Sequence, residues 1–128
     1  MLAPDTGKLF GDANEDSMIL LFSYNGVDIL FTADATKRAE ERAINPAKQF
    51  IDGELEVLKV SHHGSKTGTS KLLLEELSVK QAIISAGKNN RYGHPHKDTL
   101  NTLTECGVEY ECTAFNEKQV DIKLRKAK

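Results

Sequence analysis

The 128-residue chain has no tryptophan, 3 prolines, 2 cysteines and only 6% aromatic residues. So few cysteines exclude a disulfide scaffold, and so little proline excludes collagen-like or proline-rich extended chains. No apolar run approaches the roughly 20 residues that a membrane-spanning helix needs. The longest near-continuous stretch is Met18-Ile19-Leu20-Leu21-Phe22. Met1 to Gly7 shows no basic region followed by an apolar run, so this segment does not read as a secretion signal. An excess of positive charge is missing too: 17 Lys and Arg against 19 Asp and Glu leave −2, which excludes a polycation that coats nucleic acid through charge alone. Phosphate binding, where it occurs, must be local.

What remains is ordinary for a folded domain: 39% hydrophobic and 28% charged residues, at a length that makes about one domain. Cys106 and Cys112 flank a helix end, Gly107 and the start of a strand, a separation that puts their Cα atoms beyond the ~7 Å bridging limit. Two free thiols are expected.

The strongest local pattern is a hairpin. Residues 18–24 and 27–32 are β-rich runs joined by Asn25-Gly26, the dipeptide that tolerates the positive φ of a type I′ turn. Helix formers fill Ala35 to Ile44, and Asn45-Pro46 predicts its end because proline disfavours helical geometry in the residue before it. Leu55 to Ser61 reads as a strand, Ser70 as the N-cap of a helix over 71–78, and Lys80 to Ala86 as the next strand. A polar loop from Gly87 to His96 precedes a helix over about 97–106, with Gly107 as its left-handed stop, and strands are expected at Val108 to Thr113 and Gln119 to Leu124. This alternation predicts an α/β fold, with helices packed on a mixed sheet.

The four histidines fall in two loops, Ser61-His62-His63-Gly64-Ser65 and Gly93-His94-Pro95-His96, and Asp34 closes the hairpin's second strand. In α/β sheets ligands gather beyond the carboxyl ends of strands, so all three segments are expected on one edge. Asp and His are ligands for zinc or manganese. Each also has a plainer role. Asp34 suits a helix N-cap. His62 and His63, on an extended segment, would point to opposite sides, one towards a ligand and one away, or both could lie in a solvated loop. Pro95 is expected to hold His94 and His96 on one side, ready for a phosphate or a metal. Between Lys59 and Lys97 seven Lys and Arg face two Glu, a local +5 that leaves −7 on the remainder. Such an edge suits a phosphate-bearing substrate, or is simply a solvated face.

Asn14-Glu15-Asp16-Ser17, MILLFSYNGVDILFTAD (18–34), LEVLKVSHHGSKT (55–67), AIISAGKNNRYGHPH (82–96) and CGVEYECT (106–113) together resemble the C-terminal part of the metallo-β-lactamase-like domain of ComEC-type competence proteins. The resemblance runs from about Leu2 to Leu124. It implies half of an αββα sandwich, a mixed sheet with about three helices, with residues 1–128 as the C-terminal portion of the domain. The superfamily's His-x-His-x-Asp-His motif does not occur in the chain. The parent protein would lie in the bacterial cell membrane, with a channel region for DNA uptake in natural transformation.

The resemblance also implies roles. Asp34, with His62 or His63, would hold Zn2+ or Mn2+ in the complete domain, although Ala33 stands where the family usually has glycine. His63, His94 and His96 would act on the scissile phosphate. Ser65, Lys66, Asn90, Arg91, Tyr92 and His94 would meet the substrate, single- or double-stranded DNA. One Asp and one or two His fall at or below the three protein ligands of an open zinc site, so weak or absent metal binding and no efficient hydrolysis are expected of this segment alone. An apolar sheet face, normally covered by the upstream half, would be left bare and favour self-association. Two other readings stay open: a phosphoesterase acting on another substrate, such as a cell-wall phosphodiester, and a noncatalytic nucleic-acid-binding module.

Overall fold

Asn25 and Gly26, at φ 53° and 78°, form the expected type I′ turn and join strands β1 (Leu20–Tyr24) and β2 (Val27–Phe31) as an antiparallel pair. The computed structural model describes residues 1–3, 10–116 and 120–122. From β2 the chain alternates: α1 (Lys37–Lys48), β3 (Val57–Lys59), α2 (Lys71–Glu76), β4 (Gln81–Ile84), α3 (Lys97–Glu105), β5 (Glu109–Cys112) and the short α4 (Thr113–Asn116). The fold is α/β. Its five-stranded mixed sheet runs in the order β1-β2-β3-β4-β5, with β2 to β5 parallel.

Each parallel connection steps one strand in the same direction. Right-handed crossovers of that kind place their helices on one face, and α1 does pack on α2 and α2 on α3. Beneath them the in-register residues Leu30, Leu58 and Ala82 are buried, with Ile84, Leu55, Val60, Leu73, Leu77 and Leu103 completing the core. The opposite face is partly open, although Val27 and Val57 are buried on it. Leu20 pairs with Phe31, Phe22 with Ile29 and Tyr24 with Val27 on that side, and Leu20, Phe22, Tyr24 and Phe31 are all exposed.

Two helix boundaries differ from the sequence reading. α1 runs through Asn45-Pro46 to Lys48, because Ala39, Ala43 and Ala47 form a buried stripe and a proline in the last turn forfeits only one N–H donor. Its N-cap is Thr36, whose hydroxyl accepts from the Ala39 N–H at 3.2 Å, so Asp34 does not cap it. Ser70 caps α2 and Gly107, at φ 69°, follows α3, both as expected. Cys106 and Cys112 are free. Of the strand expected over Gln119 to Leu124, residues 120–122 are described and are not in a strand; the rest lies outside the described residues. No helix among the described residues is long and apolar enough to cross a membrane.

A Cβ at Gly26 would meet the left-handed penalty of about 1 kcal/mol. Gly26→Ala is therefore expected to lower the urea midpoint by that amount of stability with an unchanged slope, whereas Asn25→Gly leaves the midpoint nearly in place.

Candidate functional site

Strands β2, β3 and β4 end together, Phe31, Lys59 and Ile83 being in register, so the segments that follow them emerge at one edge. Backbone and side-chain bonds stitch those segments together. The Thr32 hydroxyl donates to the Lys59 carbonyl at 2.7 Å, the Val60 N–H to Ile83 at 2.9 Å, and the His62 N–H to Ala33 at 2.8 Å. Ala33 has φ 45°, a left-handed conformation that glycine adopts without strain.

His62 and His63 do not lie on an extended segment. They sit at φ 48° and 56° within a tight turn over Ser61–Gly64, and instead of diverging both rings approach His94, with centroids 5.6 and 6.4 Å away. Left-handed non-glycine residues are uncommon and cost on the order of 1 kcal/mol each, so the surroundings must impose them. Two contacts do so. Gly64, at φ 85°, lies so close to Pro95 that an added Cβ would stand 2.6 Å from the proline Cβ. Ser61, just before the pair, is held by Glu40.

Glu40 is fully buried on α1. Its Oε1 accepts from the Ser61 hydroxyl at 2.8 Å and the Thr69 N–H at 3.2 Å, and its Oε2 from the Ser70 N–H at 2.6 Å. Burial pushes its carboxyl up to about 7, against the pull of those three donors. Nothing in the motif pattern singles out this residue. The available signal was a charge inside an apolar helical stripe, since Glu40 shares its face with Ala43, Ile44 and Ala47.

The second loop folds on itself. Asn90 Oδ1 accepts from the His94 N–H at 2.9 Å, while its Nδ2 donates to the carbonyls of Gly87 at 2.9 Å and His94 at 2.6 Å. His96 Nδ1 accepts from the Lys66 N–H at 3.0 Å, so its proton sits on Nε2, which faces the Tyr92 carbonyl at 3.1 Å. Both nitrogens of His96 are thus engaged in tying one loop to the other, and Asn90 is engaged in closing its own loop. Ser65 is buried, with its hydroxyl 3.0 Å from that of Thr67. Lys66 and Arg91 are exposed, the latter donating to the Tyr92 hydroxyl at 2.6 Å.

Three imidazoles keep a nitrogen for other work. His63 Nδ1 lies 2.6 Å from the Ser85 carbonyl, which can only accept, so Nε2 carries the lone pair. His62 Nδ1 is buried without a partner among the described residues. Burial, with the neighbouring His96, His62 and His63, holds His94 below its ordinary value, and Asp34 opposes that shift. Asp34, exposed at the same rim, also raises Lys59 against the larger lowering effect of burial. The structure therefore brings His62, His63, His94, His96 and Tyr92 together, with Asp34 within electrostatic reach. Among the described residues, however, no group of three or more His, Cys, Asp or Glu side chains is placed to hold a metal ion. The residues present do not by themselves fit the Zn2+ or Mn2+ that the resemblance implies.

Two outcomes are expected from this geometry. Glu40 is protonated in the folded chain up to about pH 7 but in the unfolded chain only up to its ordinary 4.5. Its contribution to stability is therefore full below 4.5 and lost as pH rises through 7, a fall on the order of 3 kcal/mol that denaturation at pH 5 and 8 would show in the parent chain and Glu40→Gln would flatten. Gly64→Ala is expected to cost about 2 kcal/mol or more through strain and the Pro95 clash, and to move the imidazole NMR signals of His62 and His63 along with that of His94.

No family model matches the chain. It is 42% identical over 101 residues to ComE operon protein 3 of Bacillus subtilis, a match that covers 79% of this chain and 12% of that protein. It is 34% identical over 103 residues to Recombination protein 2 of Haemophilus influenzae, covering 80% of this chain and 12% of the relative. Against Competence protein ComA of Neisseria gonorrhoeae it is 31% identical over 100 residues, covering 77% and 14%. The chain thus spans about an eighth of the length of these curated relatives and is homologous to one segment of each.

Proposed function

We propose that this chain is the C-terminal part of a metallo-β-lactamase-like domain in a competence protein, and that it handles the phosphodiester backbone of DNA during uptake in natural transformation. One observation carries the reading: in a chain homologous to competence and recombination proteins, all four histidines gather where three parallel strands end. The resemblance carried by the His62-His63 and His94-Pro95-His96 loops supports the choice of domain.

The chain's own residues would divide the work. Lys66 and Arg91 supply exposed positive charge for the backbone. His94, whose proton affinity burial and its neighbours lower, would act as a proton acceptor near neutral pH, and His63 would accept a hydrogen bond from an attacking water through Nε2. His96, Asn90 and Ser65 would act by holding the loops in place. The absence of a metal-ready donor group among the described residues favours a second reading as well, a noncatalytic nucleic-acid-binding module.

The test compares this chain with the longer competence protein that the proposal implies, measuring DNA phosphodiesterase activity and salt-dependent DNA binding in each. The longer protein is expected to hydrolyse DNA, the chain alone to bind it without efficient turnover, and His94→Ala to lower kcat in the longer protein by about 10²-fold or more. Hydrolysis absent from the longer protein, with DNA binding that survives His62→Ala/His63→Ala, selects the binding module. Efficient turnover by this chain alone would refute the half-domain proposal.

A further inference from the structure

The chemistry of the rim differs on its two sides. Towards β4 the loop opens into a cavity of about 200 Å³ lined by His63, Ala86, Gly87, Asn90, Tyr92 and His94. Three of those residues contribute flat rings in nearly parallel planes: His63 and His94 lie at 19° to each other, and Tyr92 and His94 at 23°. Tyr92 is 62% exposed, and its ring is steadied by Arg91, whose guanidinium sits 4.9 Å from the ring centroid and donates to the phenol oxygen. An exposed aromatic pinned in this way has few rotamers left to lose when something stacks on it.

The polar side-chain groups left to meet an edge in the cavity are the His63 Nε2, the His94 ring nitrogens and the Tyr92 hydroxyl. The Asn90 amide is already engaged on both ends by Gly87 and His94, and the His63 Nδ1 faces Ser85. The walls a ligand meets include the three rings of His63, His94 and Tyr92, with the Arg91 cation beside them. A nucleobase matches such walls, because every base has a π-face and stacking tolerates any sequence. Within a duplex both faces of a base are covered by its neighbours, so only an unpaired base can enter.

We propose that the cavity between His63, His94 and Tyr92 is a stacking subsite for one unpaired nucleobase, which aligns a single strand with its backbone along the histidine rim. This rests on the DNA-handling reading and specifies the form of DNA it meets: a single strand or a frayed end, taken without sequence preference. Arg91 serves twice, bracing Tyr92 and lying where the adjoining phosphate passes.

The experiment uses the full chain and fluorescent single-stranded oligonucleotides, one with normal bases and one abasic throughout, with a duplex of the same sequence alongside. Binding is read by anisotropy, and stacking by quenching of a 2-aminopurine base. The expected result is quenching on binding, preference for the normal single strand over both other ligands, and about tenfold weaker binding of that strand by Tyr92→Ala. Tyr92→Phe should keep the quenching, and the abasic strand should bind equally to the parent chain and Tyr92→Ala. Equal binding of normal and abasic strands by the parent chain overturns the subsite, as does a Tyr92→Ala loss that is the same for both strands. In either case DNA binding itself persists and the broader reading stands. Binding of none of the three ligands would instead overturn both.

Discussion

A single buried carboxylate organises the functional end of this molecule. Glu40 reaches from the first helix to the Ser61 hydroxyl and to the backbone of Thr69 and Ser70, so it fixes both ends of the segment that contains His62 and His63. A carboxylate in that position is expensive to bury, and its three donors offset the cost only in part, which is why its proton affinity is raised. A leucine there would pack against Ala43 and Ala47 at no such expense. It would leave Ser61 and two N–H groups without an acceptor and the histidine turn without an anchor.

Around that anchor the two histidine loops hold each other. The Lys66 N–H meets His96, the His96 N–H meets Gly64, and the Thr99 hydroxyl meets Ser65, so the turn after β3 and the start of α3 form one assembly. Gly64 and Pro95 make the closest approach between them. Gly68 plays a similar part on the other side, where a Cβ would stand 2.0 Å from the Ser61 hydroxyl. The ring cluster is therefore a product of backbone proximity, and its members differ: both nitrogens of His96 are built into the frame, while the rings of His62 and His63 converge on His94 beside it.

How much of this was legible beforehand follows from the range of each interaction. The Asn25-Gly26 turn, the Ser70 cap and the Gly107 stop depend on residues a few positions apart, and each was readable in the sequence. The convergence of Asp34 and the two histidine loops on one edge followed from strand alternation. Pro46 misled because the buried alanine stripe of α1, a tertiary contact, outweighs a local preference. The same holds for His62 and His63, whose left-handed turn is held by the contacts of Ser61 with Glu40 and of Gly64 with Pro95, residues 22 to 33 positions from the pair. For Glu40 the helix pattern holds one sign, its place in the apolar stripe with Ala43 and Ala47, but its role rests on donors from Ser61, Thr69 and Ser70, which lie 21 to 30 positions away.

The one-sided arrangement of helices leaves Leu20, Phe22, Tyr24 and Phe31 facing water across β1 and β2. Attraction between such surfaces is entropic near room temperature and fades in the cold. Any association made through these four side chains would therefore weaken on cooling before the histidine loops, whose bonds are polar, are disturbed.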